Sequence, residues 1–176
     1  GNAAKRSQYD QQLAREGVAR AELLSGTAPE GTSWLDRAKG YLAVGDYHSA
    51  AYAAREATQN DGQTAEGWWV RSRANAGLDK FDDAFYEARQ AVELETTNPE
   101  FHFHLGAVSE EMGKWNQALS EYQEAARLDP QTSMYQLAVG GVWAQNGQPD
   151  KALPIVEPIY KKNNDDQTAA YYLAMI

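Results

Sequence analysis

Catalysis or metal binding asks for a nucleophile beside a base, or for ligands at a matching helical spacing, and this chain holds few such groups. Its histidines are His48, His102 and His104. The last two stand two apart in a stretch of helical character and so point to different faces, whereas a metal pair on a helix wants a spacing of four. They read as packing or surface histidines. Asn60-Asp61-Gly62 resembles a fragment of a calcium loop, but the acidic ligands at alternating places are missing and it reads as a turn. Asn163-Asn164-Asp165-Asp166 has the same explanation. Cysteine is absent, which excludes a disulfide framework and thiolate metal sites. No catalytic residue, metal or cofactor is expected, so the chemistry left to these side chains is recognition.

Charge narrows what is recognised. With 16 Lys and Arg against 25 Asp and Glu the net charge is -9, and no basic stripe is available for phosphates or an anionic membrane. Nucleic acid is disfavoured. No apolar run reaches the roughly eighteen residues that cross a bilayer, and Lys5 and Arg6 are not followed by the apolar stretch of a secretion signal. The chain starts on Gly1, which reads as a trimmed beginning and leaves the compartment, cytoplasmic or exported, open.

What positions the remaining residues is a thirty-four-residue period. Ala50, Ala84, Ala118 and Ala152 recur at that interval, as do the small residues Ala38, Ser72, Gly106, Gly140 and Ala174. Tyr47, Phe81 and Trp115 stand three residues before three of the alanines, and Pro149 takes that place in the last. A repeat of this length implies a stacked helical architecture in which each repeat buries its apolar face on its neighbours. Alignment gives repeats at 31–64, 65–98, 99–132 and 133–166, with 167–176 opening a fifth.

In each repeat a first helix ends near a breaker: Gly45-Asp46, Leu78-Asp79-Lys80, Gly113-Lys114 or Gly147-Gln148-Pro149. Glycine or aspartate there suits the left-handed backbone that stops a helix. A second helix follows, carrying the aromatic and then the alanine. The small residues have a steric cause, since helices approach closely only where neither is bulky. Pro154 and Pro158 fall inside the second helix of the fourth repeat, and each interior proline costs on the order of 3 kcal/mol. That helix is expected to be kinked or short. Residues 1–30 read as a capping helix, Ser7 to Ser25, followed by a linker.

The pattern resembles the tetratricopeptide repeat, whose signature is an early aromatic, a small residue in mid-helix, glycine then aromatic, two alanines and a closing proline. The third repeat matches best, with Leu105, Gly106, Gly113, Trp115, Ala118, Tyr122, Ala125 and Pro130. The first offers Trp34, Ala38, Tyr41, Gly45, Tyr47, Ala50 and Ala57, and the second Trp68, Phe81, Ala84 and Ala91. The resemblance implies an all-α superhelix of antiparallel helix pairs with a concave groove, and a non-enzymatic scaffold that binds a protein or peptide.

By that resemblance, places two, five, nine and twelve of each repeat look into the groove. The fifth place holds Leu35, Trp69, Phe103, Leu137 and Tyr171, an apolar spine; the ninth begins with Lys39 and Arg73. Glu66, Glu100, Glu110 and Glu111 put acid along the same wall. A peptide with spaced apolar anchors and an acidic residue for Lys39 and Arg73 is the expected ligand. Leu35 and Leu137 are equally compatible with packing on the next repeat, whereas Trp69 favours the groove because Trp68 already takes the core-facing place. Some family members hold the acidic end of a chaperone with lysine, asparagine and arginine, but only Lys39 matches that clamp. The rival expectation is self-assembly through an apolar terminal helix, with Tyr172, Leu173, Met175 and Ile176 as contacts.

Overall fold

The structure, a computed structural model, describes residues 33–60 and 63–176. The expected capping helix, its linker and the Asp61-Gly62 turn lie outside the described residues. Nine α-helices make up the described chain: α1 (Trp34–Ala43), α2 (Tyr47–Asn60), α3 (Ala65–Ala76), α4 (Phe81–Leu94), α5 (Pro99–Glu111), α6 (Trp115–Leu128), α7 (Ser133–Gln145), α8 (Pro149–Lys162) and α9 (Gln167–Met175). No strand occurs among the described residues. The chain divides between Ala91 and Val92, in the last turns of α4, into two compact units.

The thirty-four-residue period is a period of backbone geometry. Gly45, Asp79, Gly113 and Gly147 all have positive φ, at 73°, 58°, 69° and 65°. Each stops the first helix of its repeat, and the next residue closes back over it: the N–H groups of Asp46, Lys80, Lys114 and Gln148 donate to the carbonyls of Tyr41, Asn75, Ser109 and Trp143 at 2.8–3.0 Å. Asp79 does the work of a glycine at that place, in the left-handed region that aspartate tolerates better than most residues. The same residues then turn the chain into the second helix, so helix pairs are antiparallel.

Helix crossings fall where the small residues stand. Ala38, Ser72, Ala50, Ala84, Ala118 and Ala152 are all 0% exposed. At the second crossing the Ser72 hydroxyl donates to the Ala84 carbonyl at 2.6 Å, and at the third a Cβ on Gly106 would stand 2.6 Å from the Tyr122 ring. The aromatics sit less deeply than the alanines they precede: Tyr47 is 38% exposed and Trp115 39%. Tyr47 lies flat against Gly77, where an added Cβ would meet the ring at 2.4 Å.

In the first unit α1 packs on α2 and α3, and α2 on α3, around Ala38, Ala53, Ala54 and Val70. In the second unit α5 pairs with α6, α7 with α8, and α9 lies on α7 and α8. Ala118, Tyr122, Val139 and Val142 form one core cluster there, and Leu137, Val156 and Ala169 another.

The proline-bearing helix is not shortened. α8 runs 14 residues, as long as α2, α4 and α6, with Pro154 and Pro158 inside it. Four apart, the two rings share one exposed stripe, so their missing N–H groups fall away from the packed side. Ala152 and Val156, both 0% exposed, dock the other side on its neighbours. Packing holds a helix that propensity alone would end.

Candidate functional site

In the first unit the first helices α1 and α3 lie side by side. Lys39 Nζ meets Glu66 Oε1 at 2.6 Å, so the expected cation is part of an ion pair that ties α1 to α3. Both partners are well exposed, and such a pair is worth at most about 1 kcal/mol, which leaves Lys39 open to a competing carboxylate. Leu35 and Trp69 are half-buried against the alanine core. Arg73 is exposed and sets its guanidinium 4.9 Å from the centre of the Trp69 ring. Trp68 turns away, 9% exposed, edge-on to Tyr86 at 6.2 Å. Adjacent helical residues diverge by about 100°, so the two indoles occupy different faces.

Behind that wall lies a polar cluster that sequence reasoning missed. Glu87, 2% exposed, accepts from Asn75 Nδ2 at 2.8 and 3.0 Å and from Arg71 Nε at 2.7 Å. Arg71 also donates to Thr58 Oγ1 at 3.2 Å and stacks 5.3 Å over Trp68. Burial is the largest influence on the Glu87 carboxyl and raises its pKa, outweighing the opposing pull of Asn75 and Arg71. The available signal was a pair of polar residues on core-facing places, Asn75 eleven into its repeat and Glu87 three after Ala84.

In the second unit Phe103 is half-buried between the rings of Tyr122 and Tyr135, at 5.4 and 5.3 Å. Glu110 is an internal tie: it accepts from Tyr122 Oη at 2.7 Å and from Gln145 Nε2 at 3.0 Å, joining α5 to α6 and α7. Burial first, then the Glu110 carboxylate, push the Tyr122 phenol far above its ordinary range. Leu137 is 3% exposed in the Val156 and Ala169 cluster, so it is core and presents no surface to a ligand.

The terminal helix splits in the same way. Tyr172, Leu173 and Ile176 pack on that cluster, and the Tyr172 ring covers Gly141, where an added Cβ would stand 2.3 Å from it. These three expected contacts are therefore largely engaged within the unit. Tyr171 and Met175, 61% and 41% exposed, remain at the surface with Met134 at 52%.

His102 is a packing residue, 7% exposed, with Nδ1 2.7 Å from Glu121 and Nε2 3.0 Å from the Thr96 carbonyl. Among the described residues no three ligating side chains gather to hold a metal ion, and no helix is long and apolar enough to cross a membrane.

Two models of the tetratricopeptide repeat match this chain, one over residues 35–99 and one over 99–132, together more than half of it. No curated protein matches. Among solved structures, MamA 41-end from Desulfovibrio magneticus RS-1 superposes with a TM-score of 0.75 at 15% identity, over 95% of this chain and 99% of that one. TTC0263, a thermophilic TPR protein of Thermus thermophilus, gives 0.72 at 18% identity over 99% and 93%. YrrB, described as a TPR protein with an unusual peptide-binding site, gives 0.70 at 19% identity over 78% and 71%. At such identities the likeness is one of fold, an all-helical solenoid, and together with the two matching repeat models and the period of helix stops and crossings it means that the chain belongs to the tetratricopeptide repeat family, whose members are protein-interaction scaffolds.

Proposed function

We propose that this chain is a non-enzymatic scaffold that holds a protein or peptide segment on its first-helix faces, and that Trp69 is the main anchor. The observation that carries the reading is the Trp69 and Arg73 stack beside the Lys39 and Glu66 pair. A flat indole capped by a guanidinium offers apolar area with a charged rim, and tryptophan and arginine are the residue types that dominate binding hot spots. An apolar side chain for Leu35 and Trp69, with a carboxylate for Arg73 and Lys39, is the matching ligand chemistry. In the second unit Phe103 offers a similar but smaller surface. There α5, α7 and α9 carry no lysine or arginine and hold Glu100 and Glu111 besides the engaged Glu110, so that face suits a neutral or basic segment. The peptide-binding site described for the structural neighbour YrrB supports this kind of use for the fold.

Peptides selected from a random library on the intact chain, then titrated calorimetrically, test it. Trp69→Ala is expected to weaken a selected peptide by roughly 2 kcal/mol or more at any ionic strength. Lys39→Ala is expected to act mildly and mainly at low salt. Unchanged affinity in the double variant Trp69→Ala, Arg73→Ala would reject the site.

A second reading, self-assembly through α9, is favoured by the exposure of Tyr171 and Met175. Light scattering over a concentration series is expected to show association that Tyr171→Glu with Met175→Glu abolishes. Tyr172 is unsuited to this test because it closes over Gly141. A strict monomer at high concentration rejects the reading.

A further inference from the structure

Along α3, Glu66, Trp69 and Arg73 stand three and seven residues apart, a spacing that puts all three on one face of a helix. Glu66 lies in the first turn of α3 and Arg73 in the last, so the face reads acid, indole, guanidinium from one end to the other. The neighbouring helix α1 adds a single charge to it. Lys39 Nζ reaches Glu66 Oε1 at 2.6 Å and closes the acidic end, whereas at the other end the Arg73 guanidinium rests 4.9 Å from the centre of the Trp69 ring.

The two cations of this surface are therefore not equivalent. Lys39 already holds a carboxylate, so a second one arriving there meets a neutral pair and the like charge of Glu66 beside it. Arg73 meets no carboxylate within the first unit, and its charge is unanswered. Glu66 is not needed to start its helix: the cap is Thr64, whose hydroxyl accepts from the Gly67 N–H at 3.1 Å. The carboxylate contributes to α3 only through the favourable placing of an anion near a helix N-terminus, a small effect at an exposed site.

We propose that Glu66 is the specificity-determining residue of the Trp69 site, an internal counterpart of a ligand carboxylate that occupies Lys39 and leaves Arg73 as the cation a ligand meets. The inference rests on the reading of the first-helix face as a peptide site, and it narrows the ligand. A segment with an apolar side chain for Trp69 and one carboxylate for Arg73 is accepted. A run of acidic residues is disfavoured, because its second carboxylate finds Lys39 neutralised and Glu66 repelling it. Selectivity then comes from a repulsive element built into the surface and not from added contacts. Two like charges about 4 Å apart in water change an affinity by roughly fivefold, and salt screens the effect.

The test selects peptides from one random library in parallel on the full chain and on Glu66→Gln, then titrates them calorimetrically. Peptides from the full chain are expected to carry one aspartate or glutamate beside an apolar residue, and those from Glu66→Gln two or more. Adding a second aspartate to a peptide of the first group is expected to leave binding to the full chain unimproved and to tighten binding to Glu66→Gln about fivefold at low salt, with the gain fading at high salt. In the double variant Lys39→Gln, Glu66→Gln that gain is expected to vanish, since the freed Lys39 supplies it. Circular dichroism is expected to be the same for all three chains, and a purely structural role for Glu66 would shift the affinities of both peptides alike. Equal gain from the second aspartate on the full chain and on Glu66→Gln, or full-chain peptides as acidic as those of the variant, overturns the inference while the Trp69 site stands. Peptides that bind the double variant Trp69→Ala, Arg73→Ala as tightly as the full chain, or a selection that yields none, overturn the site and the inference together.

Discussion

Replacing Glu87 by alanine is expected to cost the first unit about 3–5 kcal/mol, the range for breaking a buried ion pair from one side. Glu87 gathers Asn75, Arg71 and, through Arg71, Thr58, so it links α4 to α3 and α3 to α2. Its removal strands the Arg71 guanidinium over Trp68 and leaves the Asn75 amide without its acceptor. Chemical denaturation followed by the fluorescence of Trp34, Trp68 and Trp69 reports on this unit, and a loss below about 1 kcal/mol, the worth of a surface pair, would show the cluster to be energetically idle. A pH series carries a sign. Burial raises the Glu87 pKa above its ordinary 4.5, so the folded chain keeps this proton to higher pH than the unfolded chain does. As pH rises from 4.5 through the raised value, the unfolded state releases the proton first and stability falls, then levels off. Glu87→Gln is expected to remove that decline, since glutamine has nothing to titrate.

Tyr122→Ala is expected to be as damaging in the second unit, by about 3–5 kcal/mol, because a buried aromatic is lost and the space does not close. Tyr122 is 3% exposed, its ring rests on the bare backbone of Gly106 and against Phe103, and its hydroxyl is held by Glu110. Gly106 cannot grow to fill the gap without a second change. Tyr122→Phe keeps the ring and removes only the hydrogen bond, which leaves the Glu110 carboxylate short of a donor; about 1–2 kcal/mol is expected. Unfolding monitored at Trp115 and Trp143 measures both. Near-equal losses for alanine and phenylalanine would mean that the hydroxyl, and not the packing of the ring on Gly106, carries the effect.

The helix pairs, their stops and their crossings were legible in the sequence because each is set locally. A left-handed residue every thirty-four positions ends a helix wherever the chain goes, and an alanine or glycine at a crossing is required by the distance between two backbones alone. Asp79 was readable among glycines for the same local reason.

The surface that binds was legible only as a stripe. Leu137 and Tyr171 hold the same place in successive repeats, yet one is 3% exposed and the other 61%. Periodicity gives the direction in which a side chain points, and tertiary structure decides what stands in front of it: α8 and α9 cover Leu137, and Tyr172 fills the space over Gly141. Lys39 and Glu110 had the charges expected of a groove, but partners on neighbouring helices, Glu66 for one and Tyr122 and Gln145 for the other, claim them. Two prolines whose cost argued against a full helix were tolerated because their rings fell on the solvent stripe and Ala152 and Val156 on the packed one. The sequence by itself determined the repeat and its helix pairs, since those depend on neighbours along the chain. Which apolar and charged residues remained at the surface was decided by neighbours in space.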